Sequence, residues 1–287
     1  MSESVSTPSP SLTGAKVTWF RVFRSEWTKI WSIRSTYIVL FLAVFLMISL
    51  SLLIAWGVSV AVSEGDFDAP AAAFLDTTWL TLQGIWLAQS AIGVIGVLVV
   101  TGEYSSGMIR ATLSATPRRL TVLTTKAVLA FLVSLLVMTP TVFASFSLAQ
   151  LIIEDAGLSA PYSDPGVLRA VFGGSLYLAA VAVLGSALAW IMRSAVGAVF
   201  TLVALVVILP FALQFVTLDW ISTIYDHLPS VAGQAVYSLG QDAGISLRDL
   251  IDADRTTFGP WEGYGVLLAW VAVGLGLSGW LLMHRDA

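Results

Sequence analysis

The chain has no cysteine, which excludes disulfides, thiolate metal sites and cysteine nucleophiles. Two histidines, His227 and His284, are too few to build a metal cluster unaided. Charge is scarce as well: 11% of the 287 residues are charged and 57% are hydrophobic, with a mean hydropathy of +0.87. So little polar surface cannot cover a soluble core of this size, and the chain must use lipid as its solvent. No GxxxxGK[ST] loop occurs, so the usual seat for ATP phosphates is missing; Gly14-Ala15-Lys16 lacks both the first glycine and a preceding strand. HExxH is missing too. Asp249, Asp252 and Asp254 read as a solvated loop face, and Asp226-His227 has no sequence-close nucleophile. The expectation is a chain that is not itself an enzyme and binds no metal or cofactor.

What the chain does have is six apolar runs, near 36–62, 79–101, 121–149, 167–192, 195–217 and 263–283. Each can cross a hydrocarbon core of about 30 Å, which takes roughly 20 helical residues. They are continuous and rich in Leu, Ala and Val, and too long for barrel strands. The sequence therefore predicts an all-α membrane protein with six transmembrane helices in a single domain over 16–287.

The basic residues orient it. With the N-terminus inside, Lys16, Arg21, Arg24, Lys29, Arg34, Arg110, Arg118, Arg119, Lys126, Arg193 and Arg285 are cytosolic, leaving only Arg169, Arg248 and Arg255 of the 14 outside. Both termini are expected in the cytosol of a multi-pass cell-membrane protein. The net charge of −4 averages a basic inner rim and an acidic outer face. The inner rim suits anionic headgroups, and its scattered charges argue against nucleic acid.

Residues 1–15 are rich in Ser, Thr and Pro and read as a disordered tail. In 16–34, Val17, Phe20, Phe23, Trp27, Ile30 and Trp31 recur at helical spacing, with Arg24, Ser25, Thr28, Lys29 and Ser32 largely opposite. That is the pattern of an amphipathic helix lying in the membrane interface. It serves as an anchor, or as an anchor that also contacts a cytosolic partner through Glu26 and Lys29. The outer segment 218–262 is long, and its first part is semi-apolar and interrupted by Pro229, Gly233 and Gly240. Short helices dipping back into the protein are expected there.

No acid or base lies near the centre of any run, which counts against an ion-coupled carrier. Gln83, Gln89, Gln150 and Gln214 are the most polar long side chains; each either bonds a neighbouring helix or lines a path. The segment 102–119, GEYSSGMIRATLSATPRR, joins the second and third runs. Met108, Ile109, Thr112 and Leu113 form an apolar strip, Pro117 stops the helix, and Glu103 and the arginines suit its dipole.

This segment resembles the loop of type-2 permeases of ATP-binding-cassette exporters, with Met108 where Thr often follows the glycine. The resemblance extends to the N-terminal amphipathic helix, the six spans, LPSVAGQAV at 228–236 and the tail GWLLMHRDA. It implies a permease subunit that pairs with a second permease, identical or paralogous, and binds two separate nucleotide-binding ATPase subunits that carry ATP and Mg. It also implies that 102–119 is a coupling helix seated in the ATPase. By position, Glu103, Tyr104, Gly107, Arg110, Pro117 and Arg118 become coupling candidates, supported by Glu26 and Lys29. The same resemblance makes the segment at 221–240 a pair of external re-entrant helices. It places a hydrophobic or amphipathic substrate between the second and fifth spans, near Trp79, Gln83, Trp86, Phe211, Gln214 and Phe215, which otherwise face lipid or neighbouring helices. The competing expectations are an ion-coupled secondary carrier and a non-transporting membrane sensor or scaffold.

Overall fold

The computed structural model describes residues 18–65, 76–105, 107–109, 111–112, 119–216, 218–239 and 258–284. The tail 1–15, Arg110, Pro117 and Arg118 lie outside these residues. Within them every regular element is helical, and six helices are long and apolar enough to cross a membrane.

Helix α1 (Trp19–Ser32) ends at Ile33, whose extended backbone separates it from α2 (Arg34–Ser63), the first span. The second run, expected to be continuous from residue 79, is divided. A short α3 (Thr77–Thr81) is capped by Asp76, whose Oδ1 accepts the Trp79 N–H at 3.0 Å, and α4 (Gly84–Ser105) follows after two residues. Gly84, the first residue after the break, lies against α2. A Cβ on Gly84 would lie 2.0 Å from the Met47 carbonyl, and the Gly84 N–H donates to Ser51 Oγ at 3.1 Å.

The third and fourth spans, α5 (Arg119–Glu154) and α6 (Val167–Met192), follow. Helix α6 is the axis of the bundle and packs on α4, on α5 and on the last span, α11 (Pro260–His284). Small residues set the α4–α6 spacing: Gly93 and Gly96 face Ala182 and Gly185 at near backbone contact. In lipid, where burying apolar surface between helices gains little, such close packing is what draws spans together.

The fifth span is compound: α7 (Ala195–Val203), a π-helical turn (Ala204–Ile208) and α8 (Leu209–Leu213), where it stops short of the expected residue 217. Pro210 explains the turn. It has no N–H for the Val206 carbonyl four residues back, and its ring would clash with that carbonyl in a regular helix.

Between the fifth and sixth spans lie α9 (Asp219–Asp226), α10 (Pro229–Gln234) and a 3-10 turn (Ala235–Tyr237). The last two pack against α6 and α11. Gly173 and Gly263 admit their backbone, since a Cβ on either would fall 2.4 Å from the Val236 carbonyl or 2.2 Å from that of Ala232. Arg169 then caps the turn, donating to the Val236 and Ser238 carbonyls at 2.8 Å each.

Candidate functional site

Four charged side chains meet where α1 crosses the end of α4 and the start of α5. Glu26 and Lys29 come from α1, Glu103 from α4 and Lys126 from α5. Lys126 is the hub. Its Nζ lies 2.6 Å from Glu26 Oε2 and 3.2 Å from Glu103 Oε1, and donates to the Val99 carbonyl at 2.9 Å. Lys29 closes the ring, 2.7 Å from Glu26 Oε1 and bonded also to Glu103 Oε1. Among these four described side chains, two carboxylates balance two ammonium groups.

Burial makes that balance necessary. Lys126 is fully buried and Glu26 and Glu103 are each 3% exposed, while Lys29 reaches partly to the surface. An ion removed from water costs several kcal/mol even after relaxation, and only well-placed partners offset this. Helical spacing brings the groups together: Glu26, Lys29 and Ile30 share one side of α1, and that side faces the bundle. The remaining apolar stripe of α1 is only partly used, with Phe20 exposed.

Burial alone would raise the pKa of Glu26, but Lys126, with help from Lys29, outweighs it and leaves the carboxyl below its ordinary 4.5. Burial alone would lower that of Lys29, but hydrogen bonds to Glu103 and Glu26 leave the ammonium above its ordinary 10.5. The signs fix a stability window. A depressed carboxyl contributes fully above its unfolded pKa and loses its contribution as pH falls through the folded value. A raised ammonium contributes fully below its unfolded pKa and loses its contribution as pH rises through the folded value. The contribution of Glu26 and Lys29 to the thermal midpoint in detergent is therefore expected to be flat between about pH 5 and 10, and to fall outside that range. In Glu26→Gln the acid-side loss should shrink, and an unchanged acid limb would contradict the assignment.

The polar segment continues from the cluster. Tyr104 stands edge-on to Trp190 at 5.9 Å, Gly107 takes a left-handed φ of 70°, and Ile109 is buried beside exposed Met108. The Thr112 N–H donates to the Met108 carbonyl at 3.0 Å, a helical turn. Arg119, at the far side of the loop, donates to the Leu282 carbonyl at 2.8 Å and ties the loop's end to the last span.

Of the pathway residues, Trp79 and Gln83 are half-buried beside the break before α4, while Trp86 is exposed. Phe211 and Phe215 are exposed and stack edge to face at 5.4 Å, with Gln214 half-buried between them. The glutamine that joins spans is a different one. Gln89 is buried, accepts from the Tyr177 hydroxyl of α6 and donates to the Val206 carbonyl at 3.4 Å, the one that Pro210 leaves without its helical donor. Tyr177 in turn meets Tyr237 of the 3-10 turn edge-on at 5.3 Å.

Sequence reasoning counted Lys126 merely as a basic residue at the inner rim. The signal was present: a single lysine inside an otherwise apolar run, which by the cost of intramembrane charge calls for a partner. Tyr177 carried no comparable signal. Among the described residues no three His, Asp or Glu side chains gather to hold a metal ion. No protein-family model matches this chain, and no curated protein matches it significantly.

Proposed function

We propose that this chain is the permease subunit of an ATP-binding-cassette exporter, driven by ATP hydrolysis on two separate nucleotide-binding subunits. The observation that carries the reading is mechanical. Glu103 is the second residue of the polar segment 102–119 between the second and third spans, and it is ion-paired to α1 and to the third span at once. A push on that segment would reach α1, α4 and α5 together. On this reading Glu26, Glu103 and Lys126 transmit the movement, while Tyr104, Gly107, Arg110, Pro117 and Arg118 belong to the surface that the ATPase touches. Helix α1 lies in the cytosolic interface, the termini are cytosolic, and α9 and α10 are re-entrant from the outer side.

Pairing with a second permease draws support from the fifth span. Only 17% of its apolar window is buried, against 78% for α6, and Val196, Phe200, Ile208 and Phe211 are exposed. A hydrophobic or amphipathic substrate would pass between such faces.

The test is reconstitution of the full chain with the nucleotide-binding subunit encoded nearest to it. Co-purification and ATP hydrolysis that depends on the permease are expected. Arg110→Ala should lower both, by about tenfold if one charge-assisted contact is lost, while membrane insertion stays intact. Absence of any association would overturn the reading.

A second reading, an ion-coupled carrier, is favoured by the burial of the charged pair Lys126 and Glu103 between the second and third spans. It predicts substrate flux that a protonophore abolishes and that needs no ATPase.

A further inference from the structure

A groove of about 800 Å³ runs between α1 and α5 and is not filled by any described residue. Its walls are Phe20, Phe23 and Trp27 on α1 and Leu132, Leu136 and Pro140 on α5. Arg24 is the charged residue in the lining; it is exposed, and among the described residues it forms no ion pair. The volume falls in the range of small-ligand sites, roughly 300–1,000 Å³. From Leu132 to Pro140 the wall extends about 12 Å along the helix axis.

We propose that this groove holds an acyl chain of an anionic phospholipid, with the phosphate at Arg24. The chemistry is complementary at both ends. A long apolar trough takes hydrocarbon, and an exposed guanidinium in its lining binds a phosphate oxygen pair in a geometry an ammonium does not match. A neutral apolar ligand would leave Arg24 without a counter-charge, and a soluble anion would leave the trough empty. The two walls belong to elements already locked together, because Glu26, on the adjoining side of α1, is held to α5 by Lys126. The lipid thus seats against a fixed surface and adds a second tie between α1 and the third span. The proposal needs only a membrane-spanning chain and stands apart from the transporter reading.

Native mass spectrometry of the full-length protein, loaded with phosphatidylglycerol or phosphatidylcholine of the same chains, tests it. Wild type is expected to retain phosphatidylglycerol about fivefold better, the factor of one basic group at an anionic lipid. Arg24→Gln should bring the two lipids level, and Leu136→Trp, which fills the trough from an exposed position, should lower retention of both. A diazirine on the acyl chain should label α1 or residues 132–140. Equal retention of the two lipids by wild type, or retention unaffected by both variants, overturns the proposal. Labelling of the groove that appears only after removal of residues 1–15 also overturns it, by assigning the trough to the chain's own N-terminal segment.

Discussion

Lys126→Met is expected to destabilise the protein by about 3–5 kcal/mol, because it leaves Glu26 and Glu103 buried with Lys29 as their remaining cation in the cluster. Methionine matches the length of the lysine stem and fills the same space, so loss of packing contributes little. In a thermal melt in detergent this corresponds to a fall of roughly 10 °C for a chain of this size. The second substitution decides the mechanism. Adding Glu26→Gln to Lys126→Met removes one charge of each sign, and the double variant should recover part of the loss, giving a coupling energy of about 1–3 kcal/mol. Simple additivity of the two losses would show that the four groups do not act as one cluster.

Gly96→Ala should be the most damaging single methyl in the membrane-spanning core. The added Cβ would lie 1.8 Å from the Ala182 carbonyl oxygen and 3.0 Å from the Ser186 nitrogen. Both are backbone atoms of α6, so no side chain can swing aside; the helices themselves must separate. Overpacking of this kind costs about 3 kcal/mol or more, and separation of α4 from α6 would also pull Gly93 from Gly185. The expected result is loss of monodisperse protein on size-exclusion chromatography. Gly102→Ala, on the same helix, is the control, since nothing lies within 4 Å of its added Cβ. It should be neutral or stabilise by up to about 1 kcal/mol through helix propensity. Equal behaviour of the two variants would refute the close crossing.

The spans were legible because a 20-residue apolar run has few other physical solutions. The boundary at residue 167 and that at 195 match the helices that form. The break before α4 was not legible, since Trp79 through Ile85 are apolar enough to continue a helix, and the approach of Gly84 to Met47 shows only in space. The π turn was half legible. Pro210 marks a disturbed helix, but the donor that answers the Val206 carbonyl is Gln89, 117 residues away. The site followed the same rule. Helical patterning drew attention to Glu26, Lys29 and Glu103, the family resemblance made them coupling candidates, and their amphipathic placement put them on a surface. Only tertiary structure turns Glu26 and Glu103 inward, because the partner that makes their burial tolerable, Lys126, lies on another span.

The separation of these partners along the chain has a consequence for biosynthesis. Glu26 precedes Lys126 by 100 residues, so at about 5–20 residues per second it leaves the ribosome roughly 5–20 s earlier. During that interval the carboxylate needs a counter-ion from its own helix, and Lys29, three residues on, supplies one. In this order of synthesis the Glu26–Lys29 pair is available before the third span brings Lys126 to the same carboxylate.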